Sequence, residues 1–183
     1  MLFRSTDKSG FYVGTWASTI KWIKDAGGSA PVELDLYGGY KGSAGDVAYD
    51  VGFLRYEYSN NKLIPSANTN EIYGAVTYGL FTAKYSHATS NLFGFANSKG
   101  SGYLDLTGSF EVAGLTIAPH LGYQAVKKDG AYSYSDYSLT VSKDAAGVTW
   151  SGALVGTSTK AYLGPTKQNL GKASVVLGAK YNF

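Results

Sequence analysis

Two histidines, His87 and His120, and no cysteine make up the whole stock of imidazole and thiol in this 183-residue sequence. That excludes disulfides, cysteine-based zinc sites, thiol nucleophiles and multi-histidine metal centres. The one combination suggestive of hydrolysis is His87 with Asp105 or Ser101, on neighbouring predicted strands. No motif accompanies it, and there is no phosphate-cradling loop, EF-hand pattern or dinucleotide fingerprint. The expectation is therefore a protein that is not an enzyme and has no catalytic, cofactor-binding or metal-binding residues. The remaining chemistry is a set of charges at alternate positions of apolar runs: Glu33, Asp35, Asp50, Glu71, Lys84, Asp105, His120, Asp136 and Lys180. These read as one polar wall, with their apolar neighbours forming the opposite one. His120 follows Pro119, which cannot donate to a sheet ladder and so requires a bulge or an unpaired carbonyl.

The elements that must position this wall are strands. Period-two alternation runs through nearly the whole chain and predicts ten strands, at 10–19, 31–41, 46–58, 70–78, 80–88, 102–111, 114–126, 135–143, 147–156 and 172–183. Most exceed the usual five or six residues and match the roughly nine to eleven that cross a bilayer at a tilt. No apolar run approaches the ~18 residues of a membrane-spanning helix. Short connections at 42–45, 79, 112–113 and 144–146 alternate with long ones at 20–30, 59–69, 89–101, 127–134 and 157–171. That is the pattern of an outer-membrane barrel, with short periplasmic turns and long extracellular loops. The expected fold is thus all-β, a closed antiparallel transmembrane β-barrel in one domain spanning 1–183. Residues 7–10 form a further short turn, which makes residues 1–6 the end of an eleventh strand. Because single-chain barrels of this type have even strand numbers, twelve is favoured, with one amino-terminal strand and a signal peptide lacking. The alternative is ten strands with residues 1–9 as a periplasmic tail.

Composition agrees. The chain has 24 glycines, 16 tyrosines and only 16% charged residues, against roughly 7% glycine and 25% charge in ordinary domains. The mean hydropathy of -0.11 fits neither a helical membrane protein nor a disordered one. Leu34, Leu36, Val51, Val76, Leu106, Ile117, Leu139, Leu154 and Leu177 fall on the lipid-facing parity. Tyr40, Tyr78, Phe81, Phe110 and Tyr181 form one expected aromatic girdle, and Tyr56, Tyr58, Tyr73, Tyr103, Tyr123 and Tyr137 a second near the long loops. Gly39, Gly52 and Ala75 leave space inside, whereas Tyr12, Trp16 and Tyr37 fill it. The long loops carry Lys21, Lys24, Lys62, Lys99, Lys127, Lys128, Lys160, Lys167 and Lys172 against Asp25 and Asp129, and the strands carry more acid than base. A net charge of +3 is too small to mark a nucleic-acid binder. Tyr181 and the terminal Phe183 resemble the assembly signal of outer-membrane barrels.

Ser9-Gly-Phe-Tyr-Val-Gly-Thr-Trp-Ala-Ser18, Glu33-Leu-Asp-Leu-Tyr-Gly-Gly-Tyr40 and Tyr49-Asp-Val-Gly52 resemble blocks of the TorF-like family of outer-membrane porins. So do Asn70-Glu-Ile-Tyr-Gly-Ala-Val-Thr-Tyr78, Gly102-Tyr-Leu-Asp-Leu106 and Val141-Ser-Lys-Asp144, in the same order. The resemblance implies an outer-membrane location and a further amino-terminal strand. It supplies no catalytic residues, and residues 157–171 lack the cysteines many relatives have in the last long loop.

Together these readings give a barrel of the bacterial outer membrane, a narrow channel for passive diffusion of small polar solutes. The alternative is a structural or partner-binding barrel with a plugged lumen and its function in the extracellular loops. Expected partners are outer-membrane lipid and lipopolysaccharide, the barrel-assembly machinery, small polar solutes, and a protein partner or second copy. In the alternative reading, Lys84 and Lys180 pair with Asp35, Asp50 or Asp105 and close the lumen.

Overall fold

The computed structural model describes residues 2–181. It contains β1 (Leu2–Thr6), β2 (Phe11–Thr19), β3 (Val32–Ala44), β4 (Val47–Glu57), β5 (Thr69–Tyr78) and β6 (Phe81–Ala88). These are followed by β7 (Gly102–Gly108), β8 (Phe110–Val112), β9 (Leu115–Ala125), β10 (Tyr134–Ala145), β11 (Val148–Thr157) and β12 (Ser174–Tyr181). All twelve belong to one antiparallel sheet in which neighbours in space are neighbours in sequence. Helix is confined to Trp22–Asp25 and a 3-10 turn at Gly130–Tyr132 among the described residues.

The ten predicted strands are present, with one split. β7 and β8 both pair with β9 and keep one register, Thr107 opposite His120 and Phe110 opposite Ile117. The ladder breaks between them, opposite Pro119, which has no N–H to give. No residue is inserted, so of the two options for Pro119 the structure takes the interrupted ladder rather than the bulge. The sheet therefore has eleven positions along its path. Residues 2–6 form a strand paired to β2, which overturns the periplasmic-tail alternative. In the described residues β1 and β12 each pair on one side only, and the sheet is open between them.

The turn expected at 42–45 is shorter: β3 runs to Ala44, leaving Gly45 and Asp46. Gly79–Leu80, Ala113–Gly114 and Ala146–Gly147 are likewise two-residue hairpins. Ala113 and Gly114 both have positive φ, as do Ala146 and Gly147. Such turns match the right-handed twist of the flanking strands.

Most of the hydrophobic core lies off the sheet. Ile23, Ala30, Tyr58 and Ala67 form one buried cluster, and Ala88, Leu92 and Val126 another, with Phe93 packed against both. These residues sit in or next to the long connections. A string of rings links the connections: Trp22 to Tyr58 (5.1 Å), Tyr58 to Phe93 (6.5 Å), Phe95 to Tyr132 (4.8 Å) and Tyr132 to Tyr162 (5.7 Å). The five long loops are thus a packed layer at one end of the strands.

Candidate functional site on the polar face

Alternation and register sort the strands into two faces. Val13, Leu36, Val51, Phe53, Ile72, Val76, Leu106, Leu121, Leu139, Leu154 and Leu177 share the apolar face and are exposed. The predicted polar set, Glu33, Asp35, Asp50, Glu71, Lys84, Asp105, His120, Asp136 and Lys180, shares the other face by register across β3 to β12. Phe11, Tyr78, Phe81 and Tyr181 are exposed near the short turns. The loop-side girdle is smaller than expected. Tyr123 and Tyr137 are exposed on the apolar face with Tyr85, but Tyr56, Tyr73 and Tyr103 have the opposite parity and Tyr58 is buried in the loop layer. Arg55 and Glu57 lie on the apolar parity at the loop end, where they pair at 2.5 Å.

One rung organises the first half of the polar face. Tyr12, Gly39, Gly52 and Tyr73 are consecutive partners across β2, β3, β4 and β5. Each tyrosine lies down over the neighbouring glycine, and the two hydroxyls meet. A Cβ on Gly52 would stand 2.5 Å from the Tyr73 oxygen and 2.7 Å from the Gly38 carbonyl. The space expected at Gly39 and Gly52 is therefore filled by rings. The Tyr12 hydroxyl donates to Asp50 at 2.5 Å, and Lys41 pairs with the same carboxylate at 3.2 Å.

The pairing of Lys84 and Lys180 with Asp35, Asp50 or Asp105, which the alternative reading requires, is not found among the described residues. Lys84 stands over the Tyr73 ring at 4.4 Å and Arg4 over the Tyr12 ring at 4.0 Å, while Lys180 is exposed near the turns, opposite Thr149. Electrostatics accounts for this: a cation over an aromatic face is stabilised by the ring quadrupole, and Lys41 already neutralises Asp50. Toward the loops, Glu33 accepts a hydrogen bond from Tyr58 at 2.8 Å, and burial with that acceptor pushes the Tyr58 phenol well above its ordinary range. Asp35 has a buried Oδ1 that no donor among the described residues reaches. These residues surround a cavity of about 460 Å³ lined by Leu2, Arg4, Tyr12, Trp16, Glu33, Asp35, Tyr37, Asp50, Leu54, Tyr73 and Lys84.

The second half is built on His120. Its Nε2–H donates to Asp136 at 2.7 Å, and Asp105 faces Nδ1 at 3.5 Å. The Tyr103 hydroxyl donates to Asp136 at 3.1 Å, in space left by Gly122. A second cavity, of about 500 Å³, opens here and reaches Thr157, Lys172 and Ser174. His120 is thus a wall residue held by two carboxylates. The His87–Asp105 combination is overturned: His87 is opposite Gly102 on the apolar parity, while Asp105 is on the polar one, and the Ser101 hydroxyl donates to Ser98. Among the described residues no group of three or more His, Asp or Glu side chains, the His120 cluster included, is arranged to hold a metal ion.

Sequence reasoning missed Arg4 and underused the tyrosines. Their signal was available: Arg4 shares the parity of Leu2 and Thr6, and each of Gly14, Gly39 and Gly52 faces a tyrosine on the next strand. None of the nine loop lysines makes an ion pair among the described residues. Phe183, half of the expected assembly signal, lies outside the described residues.

The fold and this face define an all-β, sequentially paired antiparallel sheet with one apolar and one charged surface. The chain belongs to a bacterial family: the model described as "Bacterial protein of unknown function (Gcw_chp)" matches residues 2–183. No curated protein and no solved structure matches it.

Proposed function

We propose that the chain forms the wall of a β-barrel in a bacterial outer membrane, and that its polar face lines a narrow passage for small polar solutes. The observation that carries this reading is the division of the sheet. One face exposes a continuous set of large apolar side chains, while the charged side chains of the strand centres lie on the other. A lysine or arginine facing lipid at mid-depth costs about 2–4 kcal/mol, so such sorting is what a bilayer demands. The apolar-parity charges Arg55 and Glu57 are paired at a strand end, and Lys143 adjoins a short turn. Leu2 and Val176, exposed on the polar parity, belong to the two edge strands. With eleven positions, β1 and β12 run in the same direction, so closure takes a parallel β1–β12 seam or one further antiparallel strand. The resemblance to TorF-like porins supports the second. The unpaired loop lysines suit the phosphates of lipopolysaccharide.

A second reading, a plugged barrel acting through its loops, is favoured by the tyrosine rung across Gly39 and Gly52 and by the packed loop layer. Conductance in a planar bilayer under a salt gradient decides between them. The passage predicts discrete steps, with a cation preference that falls in Asp50→Asn and Asp105→Asn. Inserted protein that gives no steps overturns the passage and leaves the plugged barrel.

A further inference from the structure

Although Glu71 and Lys84 interact through space, Arg4 and Lys84, the two cations that line the 460 Å³ cavity, form no ion pair among the described residues. Each rests on a tyrosine face, and those tyrosines touch through their hydroxyls, so both cations converge on one rung. A cation held by a ring keeps its N–H donors for a ligand. Of the three carboxylates in the lining, Asp50 is engaged by Tyr12 and Lys41, and the other two, Glu33 and Asp35, make the opposite end of the cavity acidic. Among the described residues nothing donates a hydrogen bond to Asp35, and its register partner on β2 is Trp16. Arg4 lies opposite Gly14, one same-face step, or about 7 Å of strand, from that level. A simple anion would be repelled by Glu33 and Asp35, and a simple cation by Arg4 and Lys84.

We propose that this cavity binds a small organic acid that also carries a hydroxyl or ammonium group. Its anionic end lies between Arg4 and Lys84, and its donor end faces Asp35. The volume is in the range of sites for small molecules. The inference rests on reading this face as a solute passage and names the solute class that the passage would hold.

Trp16 lines the cavity and reports on it. In a Trp22→Phe/Trp150→Phe background it is the one remaining tryptophan, since the chain has three. Folded protein in detergent is titrated at constant ionic strength with gluconate, propionate and glucose. The expected result is a saturable change in Trp16 emission with gluconate, at an affinity at least about tenfold above that for propionate or glucose. Arg4→Gln with Lys84→Gln removes the advantage over glucose, and Asp35→Asn removes the advantage over propionate. No saturable response, or one unchanged in the Arg4/Lys84 variant, overturns the proposal. Protein that conducts but does not bind gluconate overturns this inference alone. Protein that binds gluconate but does not conduct supports it and overturns the passage.

Discussion

At the scale of single residues, two glycines one strand apart make opposite predictions. Gly52→Ala drives a Cβ against the Tyr73 ring and the Gly38 carbonyl, and the carbonyl belongs to a paired strand and cannot swing away. Gly74 has nothing within 4 Å of where its Cβ would stand. Gly52→Ala is expected to lower stability by about 1–3 kcal/mol and Gly74→Ala to leave it nearly unchanged, read as the urea midpoint of the folded protein in detergent. If the two behave alike, the tyrosine rung is not a packed unit. This scale also marks where the sequence is readable. Parity alone put Glu33, Asp50 and His120 on one wall, because side-chain direction in a strand depends only on odd or even position. Partners were not readable, because they depend on register between strands. Lys84, which the plugged reading pairs with a carboxylate, rests on a ring. Gly39 and Gly52 were read as space, although their cross-strand partners are tyrosines that lie down into it.

At the scale of elements, the strands were legible and the loops were not. Alternation repeats every two residues and announces itself, and even the split at Pro119 follows from a residue that cannot donate. The loop layer has no period. Ile23, Ala67 and Leu92 are buried by contacts between connections far apart in sequence, so nothing local distinguishes them from surface residues. The layer has a testable pH dependence. Burial pushes the Tyr162 phenol up to about 12, and its hydroxyl donates to the Tyr132 carbonyl at 3.0 Å. A raised pKa means that the folded state holds the proton more tightly. The stabilisation is therefore complete below the unfolded tyrosine value near 10 and is lost as pH climbs toward 12. Hydrogen exchange in residues 158–173 should accelerate across that window. Tyr162→Phe keeps the ring and removes the titration, so its loop should show a smaller rise. An equal rise in both would assign the loosening to another group.

At the scale of the whole molecule, the apolar face makes a prediction about its surroundings. Trp150 is 56% exposed on that face, whereas Trp16 lines the polar-face cavity. In vesicles of bromine-labelled lipid, a variant retaining Trp150 as its sole tryptophan should be strongly quenched, and one retaining Trp16 should not. Equal quenching would overturn the proposed distinction between a lipid side and a solute side. The order of the strands has a further consequence. Every neighbour in space is the next in sequence, apart from the break at Pro119, and four connections are two-residue turns. The sheet is thus a tandem series of self-contained hairpins. Duplicating or deleting one such unit would change the width of the sheet by two strands without re-routing the chain. In the proposed barrel, the width of the bore would be open to gene-level tinkering in discrete increments, while a few side chains on individual rungs would set what passes.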